Sequence, residues 1–160
     1  MPVINEYKRK FLVVIDESSE CDRAVTFAAH RVKRTGGTIV LLSVIETQDF
    51  QHFLGVEDVM RAEAREAAER LIDIRIARIA AIGEVRTETV IREGDTLEEI
   101  ERVISEDPGI GILVLAASTS SDGPGPLITA FATRSGGAAL PVLVTIIPGK
   151  MTDEQIIAVT

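Results

Sequence analysis

The stretch DESSECD, Asp16 to Asp22, sets a carboxylate directly behind the apolar run FLVVI. A carboxylate at the tip of a strand can accept hydrogen bonds from a ribose hydroxyl or an adenine amino group, or help to hold a metal. Equally, Asp16 can order the turn while Glu20 and Asp22 complement the dipole of a following helix. A second stretch, AASTSSDGPGPLITAFATRSGG from Ala116 to Gly137, is rich in small, hydroxylated and glycine residues. Phosphate cradles need backbone N–H groups aimed inward, glycine for close approach and a helix N-terminus behind them. Gly123, Gly125 and the segment after them supply part of this, but Pro124 and Pro126 lack the N–H and Asp122 adds negative charge. Neither G-x-G-x-x-G nor a Walker-type lysine is present. On residues alone the stretch reads as a turn-and-cap loop rather than a cradle.

Other chemistry finds little support. No second acid cluster or histidine stands at a spacing that would complete a metal shell around Asp16. His30 and His52 have no partner at ligand spacing and read as surface or packing residues. Cys21 falls in the first turn of a helix, where the dipole could lower its pKa, or it is a small buried hydrophobe. No nucleophile and base can be paired, which speaks against a triad or metal-centred enzyme.

Composition narrows the partners. A chain of 160 residues with 46% hydrophobic content has the apolar supply for one domain with a sizeable core. A net charge of −8 and a pI near 4.8 repel nucleic-acid backbones and anionic membrane surfaces. The first apolar run is too short for a signal or transmembrane segment and ends in acids. The single cysteine excludes an internal disulfide framework. These readings predict a cytoplasmic protein that binds neither nucleic acid nor membrane.

The elements that must position the two stretches follow from periodicity. Residues 11–15 and 38–45 are continuous runs rich in β-branched, aliphatic and aromatic residues, the pattern of strands buried on both faces, and 110–115 reads as a further strand. Cys21, Ala24, Val25, Ala28 and Val32 recur at helical steps, predicting a helix over 19–35, capped by Ser18 or Ser19 and stopped by Gly36-Gly37. A longer helix over 56–82 takes Val56, Met60, Ala64, Ala67, Leu71 and Ile74 as its apolar stripe. VRTETVI, 85–91, alternates and reads as a strand near a sheet edge. Asp95 with Glu98 opens a third helix that buries Leu97, Ile100, Val103 and Ile104. Pro126 heads a short fourth helix to about Arg134, Leu140 to Ile147 is a fifth strand, and MTDEQIIAVT could add a turn or more of helix. The alternation predicts an α/β domain, a single doubly wound sheet of five mainly parallel strands with helices on both faces, over residues 1–150, with a tail at 151–160. Such a sheet binds ligands at the carboxyl ends of its strands, where the strand order reverses.

Taken together, FLVVIDESSECDRAVTFAAHRVKRTGGTIVLLSVIE, VIREGDTLEEI, GILVLAAS and LPVLVTIIP resemble the universal stress protein family over residues 9 to 148. The resemblance implies a Rossmann-like sheet of strand order 3-2-1-4-5 and a homodimer paired through the last strand, with Leu140, Val142, Val144 and Ile146 at the interface. In nucleotide-binding members the aspartate ending the first strand and the valine ending the second contact the adenosine; Asp16 and Val44 match them. The phosphate motif of those members, G-x2-G-x9-G-[S/T], does not match. Its first two glycines fall at Ala116 and Thr119, and its last pair near Thr129-Ala130.

The expected ligand residues are therefore Asp16, Val44, Leu115, Ala116, Ser118, Thr119, Ser120, Gly123 and Gly125. ATP or AMP is the candidate cofactor, although the phosphate motif is absent. The expected function is a non-catalytic stress-response module that binds an unknown protein partner or small ligand as a homodimer. The alternative is an adenine-nucleotide-binding protein with weak ATP hydrolysis or autophosphorylation at Ser118 to Ser121.

Overall fold

The computed structural model describes residues 9–47, 55–134 and 142–160. Strand and helix alternate along them: β1 (Lys10–Val14), α1 (Cys21–Thr35), β2 (Thr38–Glu46), α2 (Glu57–Ile82), β3 (Arg86–Gly94), α3 (Thr96–Glu106), β4 (Ile110–Ala116), α4 (Pro126–Arg134), β5 (Leu143–Ile147) and α5 (Asp153–Val159). The five strands form one parallel sheet in the order β3-β2-β1-β4-β5. Successive side chains of a strand point to opposite faces, so the continuous apolar runs feed two cores at once. Phe11, Val13, Ile39, Leu41 and Val114 pack with residues of α1, α2 and α5. Leu12, Val40, Leu42, Leu113 and Leu115 pack with residues of α3 and α4. The sheet thus has helices on both faces, as the alternation predicts.

Two edges result. The β3 edge carries RTETVIREG, whose charged and hydroxylated residues keep it half-exposed. The β5 edge is apolar: Leu143 is 70% exposed, Val144 40% and Ile146 45%.

Two local expectations are corrected. Ser18 and Ser19 do not cap α1 through their side chains; Glu20 occupies the cap in helical conformation without a side-chain bond. The Ser18 hydroxyl donates instead to Asp16 Oδ1 at 2.6 Å, because an ionised carboxylate two residues back is the stronger acceptor. In α2 the apolar stripe is rotated. Ala68, Ile72, Arg75 and Ile79 are buried, while Val56 and Ile74 are exposed and Met60, Ala64 and Leu71 sit at the margin. A charged residue within the buried row conceals that row from a search for apolar spacing. The cap of α3 follows the sequence, Asp95 accepting from the Glu98 N–H, and at the start of α5 Thr152 forms a capping box with Gln155.

The last helix is built into the domain. Ile156 is fully buried against α1 and α2. Asp153 pairs with Arg23 at 3.0 Å and Arg78 at 3.3 Å, and Arg31 donates to the Val159 carbonyl at 3.1 Å. Between β5 and α5, Gly149 passes so close to the chain after β4 that a Cβ would collide with the Ala117 carbonyl and lie 2.8 Å from Thr119 Cγ2.

At the opposite end of the sheet Lys10 donates to Glu88 at 3.0 Å and Asp107 at 2.9 Å, tying β1 to the β3 edge and to the turn before β4. The hydrogen bond to Asp107, and then that to Glu88, hold the ammonium above the ordinary lysine value of 10.5. A raised folded value makes this stabilisation complete below the unfolded pKa and removes it as pH rises through the folded one. Lys10→Met is therefore expected to lower stability by about 1 kcal/mol in neutral buffer, a modest figure because the network is part-exposed. Urea titrations of the two proteins should converge in buffers more alkaline than 10.5.

Candidate functional site

In a parallel sheet the helices after β1 and β4 leave on opposite faces, since these are the neighbours at which the strand order reverses. The chain parts there and leaves a cleft of about 830 Å³. Its apolar wall comes from Val14 of β1, Ala24 of α1, Leu115 of β4 and Leu127 and Ile128 of α4. Three carboxylates line it as well: Asp16 and Glu20 between β1 and α1, and Asp122 between β4 and α4.

The two connecting loops are shaped by their own hydrogen bonds. Asp16 Oδ1 accepts from the Ser18 N–H at 2.8 Å in addition to the Ser18 hydroxyl, closing a turn that exposes the carboxylate. In the second loop the Ser118 N–H donates to the Pro124 carbonyl at 2.8 Å and the Ser120 N–H to Ser118 Oγ at 3.1 Å. The Asp122 N–H donates to Ser120 Oγ at 3.2 Å and the Gly123 N–H to the Ser120 carbonyl at 3.4 Å. Pro124 and Pro126 have no N–H to give. Gly123 and Gly125 have φ of 111° and 116°, and, their chain neighbours aside, no described residue lies within 4 Å of where either would carry a Cβ. These glycines serve the turn, not a close approach by neighbouring chain.

Of the residues expected at a ligand, Asp16, Leu115, Ala116, Ser118, Ser120, Gly123 and Gly125 line this cleft together. Val44 lies on β2, packed half-buried against the α3–α4 core, and is not part of the lining. Thr119 also stands aside, its hydroxyl donating to Glu20 Oε1 at 3.4 Å. Of the residues expected on the outer edge, Val144 and Ile146 are exposed on β5, Val142 packs half-buried on the α3–α4 core, and Leu140 lies outside the described residues. His52 also lies outside them. His30 is half-buried on α1, and burial, followed by the charge of Lys33, pulls its imidazole below the usual range.

Beneath the first loop sits a residue the sequence does not advertise. Arg75, 7% exposed on α2, donates from Nη2 to the carbonyls of Asp16 at 3.1 Å and Ser18 at 3.2 Å. Its Nε lies 3.5 Å from Cys21 Sγ and 3.4 Å from Asp22 Oδ1. One guanidinium thereby fixes both ends of the turn that presents Asp16, which a planar five-donor group can do and an ammonium cannot. The signal in sequence is an arginine in the buried phase of α2, visible only once that phase is known. Cys21 is buried beside it, and burial pushes its thiol up, outweighing the hydrogen bond from Arg75. An activated first-turn thiol is thereby set aside in favour of a packed one.

The described residues include no group of three or more histidine, cysteine or acidic side chains arranged to hold a metal. No described helix is long and apolar enough to cross a membrane. A model of the universal stress protein family matches residues 8–128. No curated protein matches the chain significantly. Among solved structures, the universal stress protein UspA of Lactobacillus plantarum is 21% identical with a TM-score of 0.70, covering 88% of this chain and 98% of its own. A universal stress protein in complex with cAMP is 18% identical with a TM-score of 0.63, covering 87% of this chain and 96% of its own. A universal stress protein family protein of Arabidopsis thaliana with AMP bound is 21% identical with a TM-score of 0.57, covering 87% and 90%. At these identities the likeness establishes a shared fold.

Arg75→Met keeps much of the side chain's volume and removes its donors from two carbonyls and a carboxylate. It is expected to cost about 2–3 kcal/mol in urea unfolding and to speed hydrogen exchange at the Ser18 amide. Arg78→Met, at a partly exposed cation on the same helix, should cost less than about 1 kcal/mol and leave Ser18 exchange unchanged.

Proposed function

This chain belongs to the universal stress protein family, and we propose that within it the protein is a cytoplasmic, non-catalytic module that works by binding a small ligand or protein partner as a homodimer. The observation that carries the reading is the cleft between β1 and β4, which unites seven of the expected ligand residues around an apolar wall. Its position is where open parallel sheets take their ligands. Binding there would select one arrangement of the loop from Ser118 to Gly125 and so present the partner with a changed surface.

The homodimer rests on the outer strand. Leu143, Val144 and Ile146 leave an apolar edge that a second copy of β5 would cover. Val144→Arg is expected to convert a species of twice the chain mass into one of single mass by light scattering. Retention of the double mass would remove this strand from the interface.

A second reading is favoured by the relatives solved with cAMP and AMP: an adenine-nucleotide protein with weak hydrolysis or autophosphorylation. The loop geometry weighs against triphosphate, since most N–H groups of a cradle here bond within the loop. Incubation with ATP and magnesium should release no phosphate above a protein-free blank and add no phosphate to Ser118, Ser120 or Ser121 by mass spectrometry. Phosphoserine at these positions, or ATP bound at low micromolar Kd (about −8 kcal/mol) and lost in Asp16→Ala, would install the second reading.

A further inference from the structure

We infer that the cleft between β1 and β4 takes a small organic amine, a molecule with an apolar body that donates hydrogen bonds and carries no phosphate; the inference rests on the reading of this cleft as the ligand site. The argument is an inventory of donors and acceptors around an apolar cavity. On the donor side, the N–H groups of Ala117, Ser118, Ser120, Asp122 and Gly123 are already bonded, to Ile147, Pro124, Ser118 Oγ, Ser120 Oγ and Ser120. Pro124 and Pro126 contribute none. From Ala117 to Pro126 this leaves the N–H groups of Thr119, Ser121 and Gly125, joined by those of Leu127 and Ile128 in the first turn of α4, and three carboxylates on the same cleft set their charge against a phosphate approaching them.

On the acceptor side the cleft is well supplied. Asp16, Glu20 and Asp122 each hold a neighbouring hydroxyl with one oxygen: Ser18 at 2.6 Å, Thr119 at 3.4 Å and Ser120 at 3.4 Å. Their second oxygens, Oδ2, Oε2 and Oδ1 respectively, accept no hydrogen bond among the described residues, and none of the three carboxylates is in an ion pair there. Among the described residues, no lysine, arginine or histidine lines the cleft. Arg75 lies behind the first loop, with its donors turned to carbonyls, to Cys21 and to Asp22. A phosphate placed here would meet like charge without a compensating cation among the described residues. An ammonium would meet acceptors on both loops while its apolar body rests on Val14, Leu115, Leu127 and Ile128.

Three probes that share one body and differ in charge test this: phenethylamine, phenethyl alcohol and phenylacetate, titrated into the nitrogen-15-labelled protein at low salt. The expected result is amide shifts concentrated at 16–20 and 118–125, with the amine binding at least about tenfold tighter than phenylacetate. The double variant Glu20→Gln, Asp122→Asn should shrink that ratio to about twofold while the shifts stay in the same loops. Phenylacetate binding in the cleft as well as the amine, or an amine preference untouched by the double variant, would overturn the inference and leave the cleft a ligand site. Shifts from all three probes confined to other surfaces, or none at millimolar probe, would overturn the reading of the cleft itself.

Discussion

Three strands of this sheet are buried on both faces, and a parallel strand can be so only if helices cover both sides. Leu12, Val13, Val40, Leu41, Leu113 and Val114 are at most 1% exposed, alternating between two cores. Right-handed connections then dictate where each helix lies: α1 and α2 cover one face as the chain moves outward from β1 to β3, and α3 and α4 the other once it returns to β4. Between β1 and β4 the two series diverge, and no helix can close the gap above them. The cleft follows from this division of the core, before any residue of its lining is chosen.

Its interior nevertheless depends on one ionic interaction that does not belong to the apolar logic. A buried guanidinium is costly to desolvate unless its donors are occupied, and Arg75 meets that requirement with backbone carbonyls as well as the Asp22 carboxylate. The carbonyls it takes are those freed where β1 ends and α1 has not yet begun. The long helix α2 and the turn bearing Asp16 are thereby locked into one arrangement, with Cys21 filling the space between them.

What could be read beforehand divides along the same line. Continuous runs such as TIVLLSVI announce strands and their burial, and their alternation with helices gives the sheet its order. Asp16 and the Ser118–Gly125 loop could be placed at the site because chain order alone sends them to the carboxyl ends of β1 and β4. The phase of α2 was hidden by Arg75, an arginine where an apolar residue is sought, and the cap of α1 by competition between Asp16 and the helix for Ser18. Proline told in advance of two missing donors. That four of the loop's remaining N–H groups, those of Ser118, Ser120, Asp122 and Gly123, turn on its own oxygens goes with a fold-back from Ser118 to Pro124 that no local pattern encodes. Val44 and Thr119 fell outside the lining because one packs into the core beneath α3 and the other leans on Glu20.

The close passage of Gly149 bears on a different matter, the fidelity of the outer strand. An edge strand held on one side only can slide by a residue along its neighbour, and a slide of one would turn every side chain of β5 to the wrong face. Here such a slide would push Pro148 or Lys150 into a gap beside the Ala117 carbonyl that admits only a hydrogen atom. The glycine acts as a pawl. It holds Ile147 in the core opposite Ala116, and so fixes which side chains the outer edge displays.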